Sequence, residues 1–168
     1  DLYTIQQLHG RLDRLRIAIV GDLKYGRTVH SLVHGLSHFS CELFLISPEM
    51  LKLPNAYKEV LYRNRVRYRE GIDFVRLLPQ LDVLCMTRIQ RERFADSAEY
   101  EQVRGSYILT ASHLKHANPK LKVLHPLPRV NEIATDVDAL PHAAYVQQAG
   151  NGVPVREAIL GLLSGVLA

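Results

Sequence analysis

The chain has 168 residues, 47% hydrophobic and 23% charged, with a net charge of +4 and a pI near 9.2. That balance describes one soluble globular domain large enough to bury its own core. It excludes a membrane-spanning chain, since no apolar run approaches the length of a span, and the N-terminus carries no signal-peptide pattern.

Taken in chain order, residues 2–9 read as the end of a helix, with Gly10 as its C-cap before a turn at residues 11–14. Ile17, Ala18, Ile19 and Val20 form a short apolar run suited to a central parallel strand covered on both faces. Gly21 and Gly26 bracket the bend that follows, where the backbone can take left-handed angles or approach a ligand closely. From Thr28 the period becomes helical, with Val29, Leu32, Val33, Leu36 and Phe39 on one stripe. Arg27 therefore stands at a helix N-terminus and at the carboxyl end of a parallel strand. There the free amides and the helix dipole favour an anion, and a guanidinium adds a fork for carboxylate or phosphate.

A second strand at residues 42–46 closes at Ser47 and Pro48; residues 53–64 read as a helix, 66–69 as a short strand and 73–78 as a short helix. Residues 82–87, D-V-L-C-M-T, form another buried strand, from which R-I-Q-R-E-R brings out Arg88, Gln90 and Arg93. Residues 107–109 are ambiguous, 111–116 form a short helix, and 122–125 form the next strand, stopped by P-L-P-R. The two prolines remove two amide donors and extend the backbone, leaving the carbonyls of Pro126 and Leu127 able to face a ligand. A last helix starts at Pro154, its stripe of Val155, Ala158, Ile159, Leu162, Leu163 and Val166 assigned to core packing.

This alternation predicts an α/β fold: a single Rossmann-like domain, a doubly wound parallel sheet with helices on both faces. Ligands bind such sheets at the carboxyl edge, so Arg27, Arg88 and Gln90 can converge on one crevice. With no acidic motif partner nearby, two arginines suit a dianion, and Gln90 offers donors and an acceptor to orient it. Neither G-x-G-x-x-G nor a P-loop occurs, which disfavours a nucleotide-binding, dehydrogenase-like domain. The basic residues are scattered without interleaved aromatics, so no nucleic acid is implied, and small anionic substrates account for the charge. His30, His34 and His38 are spaced for a helical metal pair. The apolar stripe faces away from them, which places them toward solvent and argues against a metal site. Cys41 and Cys85 lie in apolar runs without a partner at motif spacing, as buried free thiols of a reducing, cytoplasmic compartment. The chain begins at Asp1 rather than methionine and is read as a fragment or processed piece.

G-D-L-K-Y-G-R-T-V-H-S, residues 21–31, resembles the aspartate-binding half of aspartate carbamoyltransferases. H-P-L-P-R followed by V-N-E-I-A-T-D-V-D, residues 125–138, resembles a second word of that family, and residues 1–13 look like the helix and turn that cross between its two domains. The resemblance implies that Arg27, Arg88 and Gln90 bind L-aspartate. It also implies that the carbonyls of Pro126 and Leu127 accept hydrogen bonds from the carbamoyl amino group or the attacking amine. Arg27 and Arg93 would meet an acidic partner from the other half on domain closure. Ornithine carbamoyltransferases carry H-C-L-P where this chain has Pro126, which favours aspartate. The family needs no metal or cofactor. Its complete chain has an N-terminal domain that binds carbamoyl phosphate through S-T-R-T-R, a word not found here. The implied whole is a cytoplasmic enzyme of pyrimidine biosynthesis, a homotrimer or larger assembly, of which these 168 residues are an inactive half. The alternative is a non-catalytic binding or regulatory module with the same fold.

Overall fold

In a computed structural model, residues 1–166 are described. Five strands, β1 (Arg16–Val20), β2 (Glu42–Ile46), β3 (Arg67–Gly71), β4 (Val83–Met86) and β5 (Lys122–Leu124), form one sheet in the order β3-β2-β1-β4-β5. All pairings are parallel, with Ile17 set between Leu43 and Val83. The chain winds outward from β1 through β2 to β3, then returns to lay β4 on the other side of β1. The strand order therefore reverses between β1 and β4, and at their carboxyl ends the connections part to leave a crevice.

Strand alternation sorts the apolar side chains onto two faces. Ile17, Ile19, Leu43, Leu45, Val83 and Cys85 pack with α1 (Leu2–His9), α2 (Arg27–Leu36) and α3 (Asn55–Arg63). Ala18, Val20, Phe44, Ile46, Leu84 and Met86 pack on the other face against Phe74, Leu109, Leu114, Ile133 and Val137. The doubly wound sheet expected from the sequence is the observed architecture. The apolar strands β2, β1 and β4 are covered on both sides, as a parallel sheet requires, while the edge strand β3, R-Y-R-E-G, is largely exposed.

Several boundaries differ from the sequence reading. Helix α2 ends at Leu36, so Phe39 lies past it; the short helix expected at 73–78 is a 3-10 turn, Val75–Leu77. Helices α4 (Ser97–Val103) and α6 (Tyr145–Gly150) were not anticipated, while α5 (Ala111–Leu114) was. The largest correction concerns α7 (Gly152–Leu163), which starts two residues before Pro154 and buries none of its residues. Ile159, Leu160, Leu162 and Leu163 are 50–82% exposed, and Val166 beyond the helix is 81% exposed, so the stripe assigned to the core faces outward. Among the described residues, no helix is long and apolar enough to cross a membrane.

Candidate functional site

The crevice between the ends of β1 and β4 begins with a knot of short contacts. Thr87, just past β4, donates its amide to Val20 O at 2.8 Å and its hydroxyl to the same oxygen at 3.0 Å, and accepts the Asp22 amide at 3.1 Å. Gly21 alone fits beside it: φ is +121°, and a Cβ would lie 2.4 Å from Thr87 O. Gly26 has φ −69°, so the left-handed angle expected there is absent, but a Cβ would come within 2.6 Å of Asp22 O. Asp22 organises the turn between the two glycines, its Oδ1 accepting the amides of Lys24 (3.1 Å) and Tyr25 (2.9 Å). The turn delivers Arg27 to the first position of α2, whose N-terminal amides lie at the crevice.

Six residues singled out from the sequence, Arg27, Arg88, Gln90, Arg93, Pro126 and Leu127, all line one cleft of about 200 Å³, together with Asp22, Thr28, Thr87 and His125. Arg88 and Gln90 follow β4, and Arg93 closes a 3-10 turn, Arg91–Arg93. Contrary to the expectation of unpartnered arginines, Arg88 Nη2 holds Glu92 Oε1 at 2.8 Å, four residues on. Arg93 Nε donates to Gln90 Oε1 at 3.3 Å, so the acceptor of Gln90 is already engaged. Three guanidiniums line the cleft against one carboxylate, Asp22, which is 2% exposed with Oδ2 unpartnered among the described residues; Glu92, paired with Arg88, is exposed outside the lining. Burial pushes the Asp22 carboxyl above its usual range, against the opposing pull of the Tyr25 and Lys24 amides and the charge of Arg93. The cleft is thus suited to an anion.

The opposite wall is the Pro126–Pro128 turn, whose Leu127–Pro128 bond is cis and whose Leu127 has φ +49°. Neither the Pro126 nor the Leu127 carbonyl accepts a hydrogen bond among the described residues. Behind the turn, His125 and Glu132 are buried, joined from Nε2 to Oε1 at 2.7 Å. Glu132 also accepts the amides of Val130 (3.2 Å) and Asn131 (3.1 Å). Burial pushes its carboxyl upward, but these hydrogen bonds, that of His125 foremost, outweigh it and hold the group below its usual range. Arg129 forks onto Asp138 and bonds the Tyr145 hydroxyl at 3.1 Å, pinning the far end of the turn. Sequence reasoning missed Asp22 and the His125–Glu132 pair as parts of the site. For Asp22 the signal was present, an aspartate two and three residues before amides in a glycine-bounded turn.

His30 and His34 lie on α2 and His38 past its end, and the three do not form a row. His30 is half-buried, stacked on Tyr57 at 4.1 Å with Nε2 3.1 Å from Leu23 O, so it faces α3 and the turn rather than solvent. His34 and His38 are exposed and meet edge to face at 5.6 Å.

The family model described as aspartate/ornithine carbamoyltransferase, Asp/Orn binding domain, matches residues 13–163. The aspartate carbamoyltransferase catalytic subunit of Thermococcus onnurineus is 54% identical over 167 residues, covering 99% of this chain and 54% of that protein. Among solved structures, the catalytic subunit of M. jannaschii aspartate transcarbamoylase superposes with a TM-score of 0.89 at 48% identity, over 98% of this chain and 54% of that one. The Trypanosoma cruzi enzyme in complex with aspartate and phosphate superposes with a TM-score of 0.81 at 35% identity, over 94% and 49%. The chain thus spans about half the length of the curated relatives it matches. With that model covering all but its first helix and its last residues, this chain belongs to the aspartate/ornithine carbamoyltransferase family, as its Asp/Orn-binding domain.

Proposed function

We propose that this domain is the aspartate-binding half of an aspartate carbamoyltransferase, transferring a carbamoyl group from carbamoyl phosphate to L-aspartate in de novo pyrimidine biosynthesis. The observation that carries the reading is the single cleft at the strand-order reversal, where two separate strand ends bring Arg27 and Arg88 together with the Pro126–Pro128 turn, whose first two carbonyls are unpaired among the described residues. Aspartate has two carboxylates and one amine. Each arginine takes one carboxylate bidentately, Arg88 exchanging Glu92 for the ligand, while the carbonyls of Pro126 and Leu127 accept N–H groups of the amine or of the carbamoyl group.

In the reaction the amine nitrogen bonds to the carbamoyl carbon, the bond from that carbon to the phosphate oxygen breaks, and the nitrogen gives up a proton to the departing phosphate. The residues here contribute orientation and fixed dipoles. Carbamoyl phosphate is held by an N-terminal domain like the other half of the relatives, and Arg27 and Arg93 meet an acidic residue from it on closure. Proline at 126, where ornithine carbamoyltransferases carry cysteine, assigns aspartate rather than ornithine. Support for the substrates comes from the T. cruzi relative, solved with aspartate and phosphate. The complete enzyme is cytoplasmic and a homotrimer or larger assembly.

The test is steady-state kinetics of the full-length protein with Arg27→Ala and Arg88→Ala. Each loses about 2–4 kcal/mol of kcat/KM for aspartate, with carbamoyl phosphate binding little changed. Lysine at 27 restores only part, because a point charge does not reproduce the fork. Unchanged aspartate kinetics in both variants overturns the assignment.

A further inference from the structure

We propose that His125 and Glu132 are positioning residues that set the Pro126 and Leu127 carbonyls through a single hydrogen bond, available in one tautomer of the imidazole. This rests on the carbamoyltransferase reading above for what the carbonyls do, but its geometry stands apart from it. Across residues 126–128 the backbone holds two prolines, so Leu127 carries the only amide donor of the turn. That donor points inward, 2.8 Å from His125 Nδ1. An amide can only donate, so Nδ1 is bare and accepts. The ring proton is then on Nε2, donated to Glu132 Oε1 at 2.7 Å.

The buried pair is therefore a neutral imidazole against a carboxylate rather than two opposite charges. A proton on Nδ1 would face the Leu127 N–H and expel it. Glu132 selects the productive tautomer and is itself fixed by the Val130 and Asn131 amides, while Gln148 on α6 accepts the His125 amide at 2.8 Å. The tether accounts for a positive φ at a residue with a side chain: Leu127, at +49°, is over-determined by its amide being held from inside. With its one donor anchored inward, the turn leaves both carbonyls unpaired among the described residues, in a segment that lines the cleft. Neither His125 nor Glu132 needs to touch substrate for this role.

An imidazole can be split into its two functions. Asparagine at 125 places an amide oxygen near the Nδ1 position and keeps an acceptor for Leu127; glutamine reaches the Nε2 position and keeps a donor for Glu132. A residue that only fills the core would not rank them this way. In the full-length protein, His125→Asn is expected to keep a kcat at least about tenfold above His125→Gln, with aspartate KM differing less than about threefold, as suits loss of orientation rather than of a substrate contact. Urea unfolding of both variants controls for folding. In parallel, ring nitrogen shifts of histidine-labelled 168-residue chain should show a bare Nδ1 and a protonated Nε2 at 125, and Glu132→Gln should change that distribution. If the unmodified full-length protein makes no carbamoyl aspartate, the functional reading falls, and the ring nitrogens still decide the tether. A protonated Nδ1 overturns the tether whatever the activity. Equal kcat in the Asn and Gln variants of an active enzyme, or a better Gln variant, overturns the positioning role. Should both variants fail to fold, Glu132→Gln decides it: unchanged ring nitrogens and unchanged kcat overturn the proposal.

Discussion

Titrating the isolated chain with L-aspartate separates a half-site from a self-sufficient binding module. Arg27 is exposed on the first turn of α2, and the Arg88 side chain, 30% exposed, is already engaged by Glu92. A ligand carboxylate at Arg88 must displace Glu92, so its net gain is the difference between two similar pairs. Exposed guanidinium–carboxylate pairs contribute about 0–1 kcal/mol each, and the N-terminus of α2 adds roughly 0.3–1 kcal/mol. Together these reach about 3 kcal/mol at most, against at least ~4 kcal/mol of lost translational and rotational freedom. A 1 mM complex needs a net of about −4.1 kcal/mol, so binding is expected at millimolar strength or weaker, and weaker again at high salt. Amide shifts at residues 26–28 and 88–90 during the titration read it. Glu92→Gln, which frees Arg88, should tighten binding by about two- to fivefold. Micromolar affinity at physiological salt would refute the reasoning and favour a stand-alone module.

Gly21→Ala places a Cβ 2.4 Å from Thr87 O and 2.5 Å from Thr87 Oγ1 at φ +121°; a loss of about 3 kcal/mol or more is expected in urea unfolding, and a loss under about 1 kcal/mol would contradict this packing. Asp22 has a folded pKa above its unfolded value near 3.8, first through burial, so the stability it contributes is full below that value and lost as pH rises through the folded one. Asp22→Asn, which keeps an oxygen for the Lys24 and Tyr25 amides, should therefore be neutral or stabilising at pH 7 and flatten that part of the urea-midpoint profile; a clearly destabilised variant at pH 7 counts against the argument. Burial raises the Cys41 thiol to about 11 and the Cys85 thiol to about 12, so iodoacetamide should label neither in the native chain at pH 8 and both after unfolding, and fast native labelling would show the core to be open.

The strands were legible because a parallel sheet covered on both faces writes itself as short continuous apolar runs. Residues 17–20, 42–46 and 83–86 need no partner information to be recognised. The site's cation set was legible for a topological reason: a charged residue directly after such a run must emerge at the carboxyl edge. Periodicity failed at α7, where the 3.6-residue stripe states that something covers a face without stating what. It also failed at α4, whose segment S-A-E-Y-E-Q-V has no apolar stripe; there the usable signal was Asp96, whose side chain caps the Ala98 amide. The Arg88–Glu92 pair was visible as an i,i+4 spacing but was obscured by reading the segment as a strand exit. The link from His125 to Glu132 spans a turn with no fixed period, so only tertiary structure shows that it closes.

The weakness of the cleft and the exposure of α7 have a common explanation in where α7 begins. A second cavity, of about 360 Å³, adjoins the cleft and shares Thr28, His125 and Pro126 with it; its other walls are Asp1, Tyr3 and Thr4 at the start of α1 and Gly152, Val155 and Arg156 at the start of α7. Helix α7 thus leaves from the open side of the candidate site and carries its apolar surface away over 12 residues, a distance of about 18 Å. Under the proposed reading, the remainder of the full-length chain covers both the exposed face of α7 and the cleft beside which that helix starts. Burial of one large aliphatic side chain contributes about 1.5–3 kcal/mol, so four such residues on α7 far outweigh the exposed ion pairs of the cleft. Apolar docking then supplies the binding energy between the halves, while the guanidiniums and carbonyls supply selectivity. Those polar groups gain strength only once the second half lowers the dielectric around them.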